Sequence, residues 1–197
     1  RTFDETEVLE GAVALFQERG YEGTSVPDLT QRLGICRQSL YSAFGDKRGL
    51  YLKALERWGE REVDTKVALL EQPGSPLENL RTLLRGFAAY ATSCPSEGCF
   101  TVSAMVENRD DPDALAIVER QVSRLETAYR ETLDRALAAG EIRADVRTQR
   151  LARTLVTTCH GIGLLTRLPG SGARIGELEV VVVATTLGHT RTFKVAL

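Results

Sequence analysis

The chain has few of the residues and motifs that mark a metalloprotein, a disulfide-bonded protein or an enzyme. Its 197 residues include only four cysteines and two histidines, and no two cysteines form a CxxC pair. Neither a disulfide framework nor a zinc site is therefore expected. A Gly-rich phosphate loop, a nucleophile elbow and an HExxH sequence are also absent. We expect a non-enzymatic protein without a metal or another cofactor.

Long apolar runs are missing as well, and none approaches the roughly 20 residues that span a bilayer. The stretch RTFDETEVLE at the start is acidic and poor in apolar side chains, which is unlike a signal peptide. These two absences predict a cytoplasmic protein that does not enter a membrane. A composition of 43% hydrophobic and 26% charged residues is enough for a sizeable core in one or two domains.

The segment from Thr24 to Phe44, TSVPDLTQRLGICRQSLYSAF, predicts two short helices joined by a glycine turn. Ser25 and Asp28 have the spacing of a capping box at the start of the first helix, and Gly34 allows a sharp stop at its end. Two helices with a tight turn and a polar second helix are typical of a helix-turn-helix that reads DNA. The side chains of the second helix that can bond phosphates or base edges are those of Arg37, Gln38, Ser39, Tyr41 and Ser42.

The distribution of charge supports a DNA-binding face better than its total does. The net charge of the whole chain is −2, whereas nucleic-acid-binding domains are usually basic. Between Leu29 and Lys53, however, five basic residues accompany the single acid Asp46, a local net charge of +4. Short helix pairs with a glycine turn also occur in all-α domains that do not bind DNA, and the turn alone does not distinguish the two cases. The local positive charge favours DNA binding.

The run ALFQERGYEGTSVPDLTQRLGICRQSLYSAFGDKRGLYLKAL resembles the N-terminal DNA-binding domain of the tetracycline-repressor (TetR) family. The positions that match are Phe16, Gly20, Tyr21, Thr24, Leu29, Gly34, Leu40, Tyr41, Phe44, Lys47 and Leu50. The resemblance implies a DNA-binding domain over residues 1–47, with the helix-turn-helix at about 25–44, and a homodimer that reads double-stranded, inverted-repeat operator DNA. The roles it implies are phosphate contact for Thr24 and Ser25, base contact for Arg37, Gln38 and Ser39, and DNA backbone contact for Tyr41 and Lys47.

Cys36 departs from the family's pattern, because it stands where a Ser or Thr usually caps the reading helix. A thiol caps a helix poorly. A thiol at a helix N-terminus, next to Arg37, can also have a lowered pKa and react with oxidants or alkylating agents near DNA. A small cysteine that simply replaces serine is the alternative. Cys94 and Cys99, on either side of a turn, are a second candidate for a thiol-based sensor.

Helical periodicity continues after residue 47 and predicts an all-α fold of about nine helices. The helix that follows residue 47 is expected to end near Leu70. Further helices are expected at Leu80 to Ala91, Cys99 to Glu107, Asp113 to Ala136, Thr148 to Leu168 and Ile175 to Leu187. The last of these contains a β-branched run that would suit a strand, but no other strand candidate exists for it to pair with. The resemblance implies that residues 48–197 form a helical ligand-binding and dimerisation domain.

The resemblance also implies an effector pocket between residues 60 and 170 and a dimer interface on the last two helices. Aromatic, Met and His side chains suit a small apolar effector, although each can equally belong to the core. The candidates for the pocket are Phe87, Tyr90, Phe100, Met105, Tyr129 and His160. Arg109 or Arg167 could meet an anionic ligand. The apolar stripes that would form a four-helix interface, or instead fill the core of the monomer, contain Leu151, Leu155, Ile162, Val180, Val183 and Leu187.

Taken with the motifs, these expectations describe a sequence-specific DNA-binding transcriptional regulator, most simply a repressor that a small molecule releases from its operator. Two other functions stay open at this point. One is a thiol-based redox or electrophile sensor that uses Cys36 or the pair Cys94 and Cys99. The other is a helical ligand-binding protein without operator function.

Overall fold

The structure of the protein is a computed structural model that describes residues 3–93, 99–166 and 168. These residues form eight α-helices and no strand, which confirms the all-α class. The helix predicted for Ile175 to Leu187 lies outside the described residues. In chain order the helices are α1 (Glu5–Arg19), α2 (Val26–Leu33), α3 (Arg37–Phe44), α4 (Lys47–Leu70), α5 (Pro76–Ser93), α6 (Phe100–Glu107), α7 (Pro112–Ala138) and α8 (Thr148–Leu165).

The helix ends follow the local signals closely. Asp4 caps α1 by accepting the N–H of Thr6 at 2.7 Å, and α1 stops at Gly20, whose φ of 73° is favourable only for glycine. Asp46 accepts the N–H of Gly49 at 2.7 Å in the first turn of α4. The prediction for the last described helix was three residues too long, because α8 ends at Leu165 and not at Leu168.

The chain divides into two compact units. The first unit consists of Arg1–Thr65 and Ser96–Leu125, and the second of Lys66–Pro95 and Glu126–Leu197. The long helices α4 and α7 each contribute residues to both units. The domain boundary predicted after residue 47 lies within the residue range of the first unit, which also contains α6 and the first part of α7.

An aromatic cluster forms the centre of the first unit. The Tyr51 ring meets Phe16 edge-on at 5.0 Å between centroids and Phe100 edge-on at 5.6 Å. The Trp58 ring also meets Phe100 edge-on, at 5.8 Å between centroids. Because burial of large aromatic rings contributes strongly to packing energy, this cluster ties α1, α4 and α6 into one body.

In the second unit α5 packs against α8. Its buried core includes Leu80, Tyr129, Leu133 and Leu155. The turn between α4 and α5 is held by Asn79, whose amide donates to the carbonyl oxygen of Gln72 at 2.6 Å. Within the described ranges, no helix combines the length and the apolar character needed to span a membrane.

Candidate nucleic-acid interface

The first helix of the pair, α2, begins with a complete capping box. Asp28 donates its backbone N–H to Ser25 Oγ at 3.2 Å, and its carboxylate accepts the Ser25 N–H at 2.9 Å. The hydrogen bonds from Ser25, with a smaller contribution from Arg19, hold the pKa of the Asp28 carboxyl below its usual value. The sequence therefore defined the start of α2 correctly, and Ser25 itself lies exposed there.

A turn at Gly34, with φ of 64°, joins α2 to α3. Leu29 of α2 and Leu40 of α3 are both completely buried, and Phe44 is buried at the end of α3. These three side chains anchor the inner faces of the two helices against the first unit. The opposite face of α3 consequently points to solvent.

The exposed face of α3 carries most of the side chains that were expected to meet DNA. Arg37 and Tyr41 form one row along the helix, and Gln38 and Ser42 form a parallel row, since residues four apart lie on the same side. All four are exposed, whereas Ser39 is half-buried.

Arg37 and Tyr41 contact each other directly. Arg37 donates to the Tyr41 hydroxyl from Nε at 3.2 Å and from Nη2 at 3.0 Å. The Arg37 Cζ atom lies 5.4 Å from the centroid of the tyrosine ring, within the range of a cation–π interaction. The exposed face of α3 thus carries an arginine and a tyrosine that are hydrogen-bonded to each other.

Cys36 occupies the N-cap position of α3 without capping it. Its Sγ lies 3.2 Å from Ser39 Oγ, and this hydrogen bond is the main reason why the pKa of the exposed Cys36 thiol is lowered. The poor cap inferred from the sequence is therefore present, together with an accessible and more acidic thiol.

Two residues expected at DNA phosphates face inward. Thr24 is 1% exposed, and its hydroxyl donates to the carbonyl oxygen of Gly20 at 2.7 Å, so this side chain is not available to a phosphate. Lys47 Nζ donates to the carbonyl oxygens of Tyr21 at 2.9 Å and Thr24 at 3.0 Å, and it lies 4.1 Å from the centroid of the Tyr21 ring. Lys47 thus holds the connection between α1 and α2.

The local positive charge is smaller in the structure than in the sequence. Arg48 is paired with Asp111 and Asp113, and Lys53 Nζ lies 3.3 Å from a carboxylate oxygen of Glu5. Partner carboxylates from α1 and α7 could not be identified from the helix-turn-helix sequence alone. Within the described part of the chain, Arg32 and Arg37 are the two basic residues of this segment that remain exposed without an ion pair.

The six residues suggested for an effector pocket are divided between the two units. Phe100 is buried in the aromatic core of the first unit, and Met105 packs against that same core, so both belong to the first unit. In the second unit, the Tyr129 hydroxyl lies 3.9 Å from the buried Cys159 Sγ. His160 Nδ1 lies 2.8 Å from the carbonyl oxygen of Val156, and burial lowers the pKa of its imidazole.

The remaining two pocket candidates also lie in the second unit and differ in exposure: Phe87 is half-buried against Ile162, and Tyr90 is 47% exposed. Arg109 is exposed beside Asp110, at 3.3 Å, and Arg167 lies outside the described residues. No group of three side chains among residues 3–93, 99–166 and 168 is arranged to ligate a metal. Cys99 is half-buried, and Cys94 lies outside the described residues.

The residues that were expected at a dimer interface on α8 differ in burial within the single chain. Leu155 and Ile162 are 0% and 7% exposed there, so both side chains pack in its core. Leu151 is half-buried. Among the described residues from Thr148 onward, the large apolar side chains that are exposed are those of Leu164, Leu165 and Leu168. Val180, Val183 and Leu187 lie outside the described residues.

A capped first helix, a glycine turn and an exposed polar second helix define a helix-turn-helix DNA-binding protein. Comparison with known sequences agrees. The family described as bacterial regulatory proteins, tetR family, matches residues 8–54, and the family described as tetracyclin repressor-like, C-terminal domain, matches residues 76–179. The chain belongs to the TetR family of transcriptional regulators, and it is not an enzyme.

Relatives and solved structures cover nearly the whole chain. YezE of Bacillus subtilis, an uncharacterized HTH-type transcriptional regulator, is 37% identical over 158 residues, which are 79% of this chain and 81% of YezE. ComR of Escherichia coli, an HTH-type transcriptional repressor, is 28% identical over 192 residues, which are 95% of this chain and 89% of ComR. A cysteine mutant of the TetR-family regulator CifR, solved with a 26-base-pair double-stranded operator DNA, superposes with a TM-score of 0.78 at 27% identity, over 93% of this chain and 96% of CifR.

Proposed function

We propose that the protein is a repressor that binds an inverted-repeat operator as a homodimer and is released by a small-molecule effector. The observation that carries this proposal is the exposed face of α3, where Arg37, Gln38, Tyr41 and Ser42 stand in two rows with no tertiary partner of their own among the described helices. A surface of this kind matches the donors and acceptors of a major groove.

The proposed contacts divide into base readout and positioning on the DNA backbone. Arg37 and Gln38, in the first turn of α3, are proposed to reach base edges, because the N-terminal residues of a reading helix enter the groove first. Ser25 at the start of α2, together with Tyr41 and Ser42 on α3, is proposed to contact phosphates. Ser39 is half-buried and supports the entrance of α3 through Cys36.

Operator binding is tested by titrating the full chain against duplexes from the DNA beside its own gene, at several salt concentrations. We expect tight, sequence-selective binding. The logarithm of the association constant should fall linearly with the logarithm of the salt concentration. Arg37→Ala should weaken operator binding about 5- to 150-fold for each half-site and leave binding to random DNA nearly unchanged, since each good base contact discriminates by about 1–3 kcal/mol. Arg150→Ala is the matched control, because Arg150 is an exposed arginine of α8 in the second unit. Equal losses in the two variants would contradict the proposal.

The effector is proposed to bind in the second unit, which the repressor-like C-terminal family match largely covers. Tyr129 and His160 are the best candidates for its polar contacts, because Tyr129 is buried, His160 is half-buried, and the lowered pKa of His160 keeps the imidazole neutral at pH 7. An effector that weakens operator binding 100-fold must prefer the DNA-incompetent state by about 2.7 kcal/mol. A thermal-shift screen of small apolar molecules, followed by operator release, identifies it.

A second function, oxidant sensing through Cys36, is favoured by the exposure of the thiol and by its lowered pKa. Oxidation would place a bulkier, polar group at the entrance of the reading helix and weaken operator binding. Peroxide treatment should then release DNA from the protein but not from Cys36→Ser. Equal release in both proteins would exclude Cys36 as the sensor.

A further inference from the structure

The geometry of α3 assigns a second task to Tyr41: it positions Arg37 for the end-on reading of a guanine in the operator. This inference rests on the proposed function and deepens it, since a tyrosine that contacts only a phosphate would fix the register of the protein without choosing a base. The contact between the two side chains carries the argument.

Tyr41 occupies one edge of the Arg37 guanidinium and leaves the other edge open. Nε and Nη2 both donate to the tyrosine hydroxyl, at 3.2 and 3.0 Å. A guanidinium has five N–H donors, so both donors on Nη1 and one on Nη2 remain. One donor of Nη1 and the remaining donor of Nη2 form the end of the fork, and their spacing matches O6 and N7 of guanine in the major groove.

The tyrosine hydroxyl can serve arginine and phosphate at the same time. It accepts from Arg37 through its lone pairs, and its own O–H is still free to donate. A phosphate bound by Tyr41 would therefore also fix the oxygen that orients Arg37. The position of the DNA backbone and the direction of the base-reading fork are linked through one atom.

Prior ordering also reduces the cost of reading the base. A free arginine loses much rotamer entropy on binding, whereas Arg37 is already held by the hydroxyl and by the ring, whose centroid lies 5.4 Å from Cζ. Gln38 differs from Arg37 in this respect, because its side chain makes no hydrogen bond to a described residue. We therefore expect the sharpest base preference at the position under Arg37.

The test selects duplexes from a randomised double-stranded library with the full chain and with Tyr41→Phe, Arg37→Ala and Gln38→Ala. The unaltered protein should enrich a half-site that contains a fixed guanine. Arg37→Ala and Tyr41→Phe should both lose preference at that guanine, while Gln38→Ala should lose preference at a different position. Tyr41→Phe keeps the ring and removes only the hydroxyl of a side chain that is 38% exposed, so the fold should be unaffected.

A second measurement uses the selected duplex with modified bases. Replacing the guanine by 7-deazaguanine, which lacks N7, should weaken binding of the unaltered protein about 5-fold or more, whereas inosine, which keeps O6 and N7, should bind as guanine does. In Tyr41→Phe the penalty for 7-deazaguanine should fall to about 2-fold or less.

Three results would overturn the inference. In the first, Tyr41→Phe weakens all sequences equally and keeps the full penalty for 7-deazaguanine, which makes Tyr41 a phosphate contact only. In the second, the base lost with Arg37→Ala is not guanine. In the third, Arg37→Ala changes no base preference. Failure of the proposed function is distinct from these, because the unaltered protein would then enrich no common sequence.

Discussion

Arg48 and Asp111 form a bidentate ion pair in the first unit. Nε donates to Oδ2 and Nη2 to Oδ1, both at 2.8 Å. Oδ1 of Asp111 also accepts the N–H of Asp113 at 3.0 Å and of Ala114 at 3.2 Å, so the same carboxylate caps α7. The start of α4, directly after the helix-turn-helix, is thereby fastened to the start of α7.

Asp111→Asn should remove the charge of this pair while keeping an N-cap residue. The hydrogen bond from Arg48 is the main cause of the lowered pKa of Asp111. The ion pair therefore stabilises the fold fully at pH values above the ordinary carboxyl pKa of 3.8. This stabilisation is lost as the pH falls through the lower pKa of the folded state. At pH 7 we expect Tm to fall by about 2–4 °C, as a loss near 1 kcal/mol produces in a chain of this size. The difference from the unaltered protein should vanish in acid. A difference that is independent of pH would contradict this account.

Gly59→Ala should destabilise the first unit, because a Cβ on Gly59 would collide with the side-chain amide of Gln121. That amide is buried and bonded: it donates to the carbonyl oxygen of Leu55 at 3.0 Å and accepts from Thr101 Oγ1 at 3.2 Å. Displacing it should cost about 2–4 kcal/mol, measured by chemical denaturation.

Gly86→Ala is the matched control for this prediction. Gly86 lies in α5, and a Cβ there would meet nothing within 4 Å. Because alanine is the better helix former, this variant should gain about 0.5–1 kcal/mol. A similar change in stability for both substitutions would show that the packing against Gln121 is not responsible.

Lys47→Ala should lower the thermal stability of the protein. The ammonium group bonds two carbonyl oxygens between α1 and α2, so its removal leaves both without that partner. Hydrogen bonds to charged groups contribute about 1.5–3 kcal/mol, and we expect a loss near the lower end because the site is half-buried. Thermal unfolding without DNA is the deciding measurement. An unchanged Tm with uniformly weaker DNA binding would instead support a pure phosphate contact.

Cys36→Ser should strengthen the entrance of α3. Serine is a preferred N-cap residue and can accept the N–H groups that the thiol leaves without a side-chain cap. We expect Tm to rise by about 1–3 °C without a change in operator preference. Cys159→Ser serves as the comparison, since Cys159 is buried and offers no helix cap. A fall in Tm for Cys36→Ser would mean that the thiol contributes packing that serine cannot replace.

Leu164→Asp should weaken the proposed homodimer. Leu164 is 48% exposed next to the exposed Leu165, so it does not support the core of the single chain, and burial of such leucines against a partner would stabilise association. Sedimentation velocity should show dissociation at concentrations where the unaltered protein is dimeric. Val106→Asp, at an exposed position of α6, is the control and should remain dimeric. Dissociation of both variants, or of neither, would argue against this surface.

Local signals predicted the helix-turn-helix well. The capping box of Ser25 and Asp28 and the glycine turn at Gly34 each depend on residues within one or two helical turns. Such interactions form in the same way whatever surrounds them, which is why the predicted starts of α2 and α3 agree with the structure.

The body of the protein was harder to interpret from the sequence. An apolar residue on a helix has the same pattern whether it meets a core, a ligand or a partner. Phe100 was a pocket candidate and is part of the aromatic core, while Leu155 was an interface candidate and is completely buried. Which neighbour covers an apolar side chain depends on how helices pack, and periodicity does not contain that information.

The class of fold, the reading helix and the family could be predicted from the amino-acid sequence, because caps, turns and helical spacing act between residues that are close along the chain. Packing was needed to show that Thr24 is buried, that Lys47 bonds two carbonyl oxygens between α1 and α2, and that Arg48 pairs with Asp111, which is 63 positions away along the chain. Burial and charge pairing depend on residues that the fold brings together, and no short segment of sequence contains both partners.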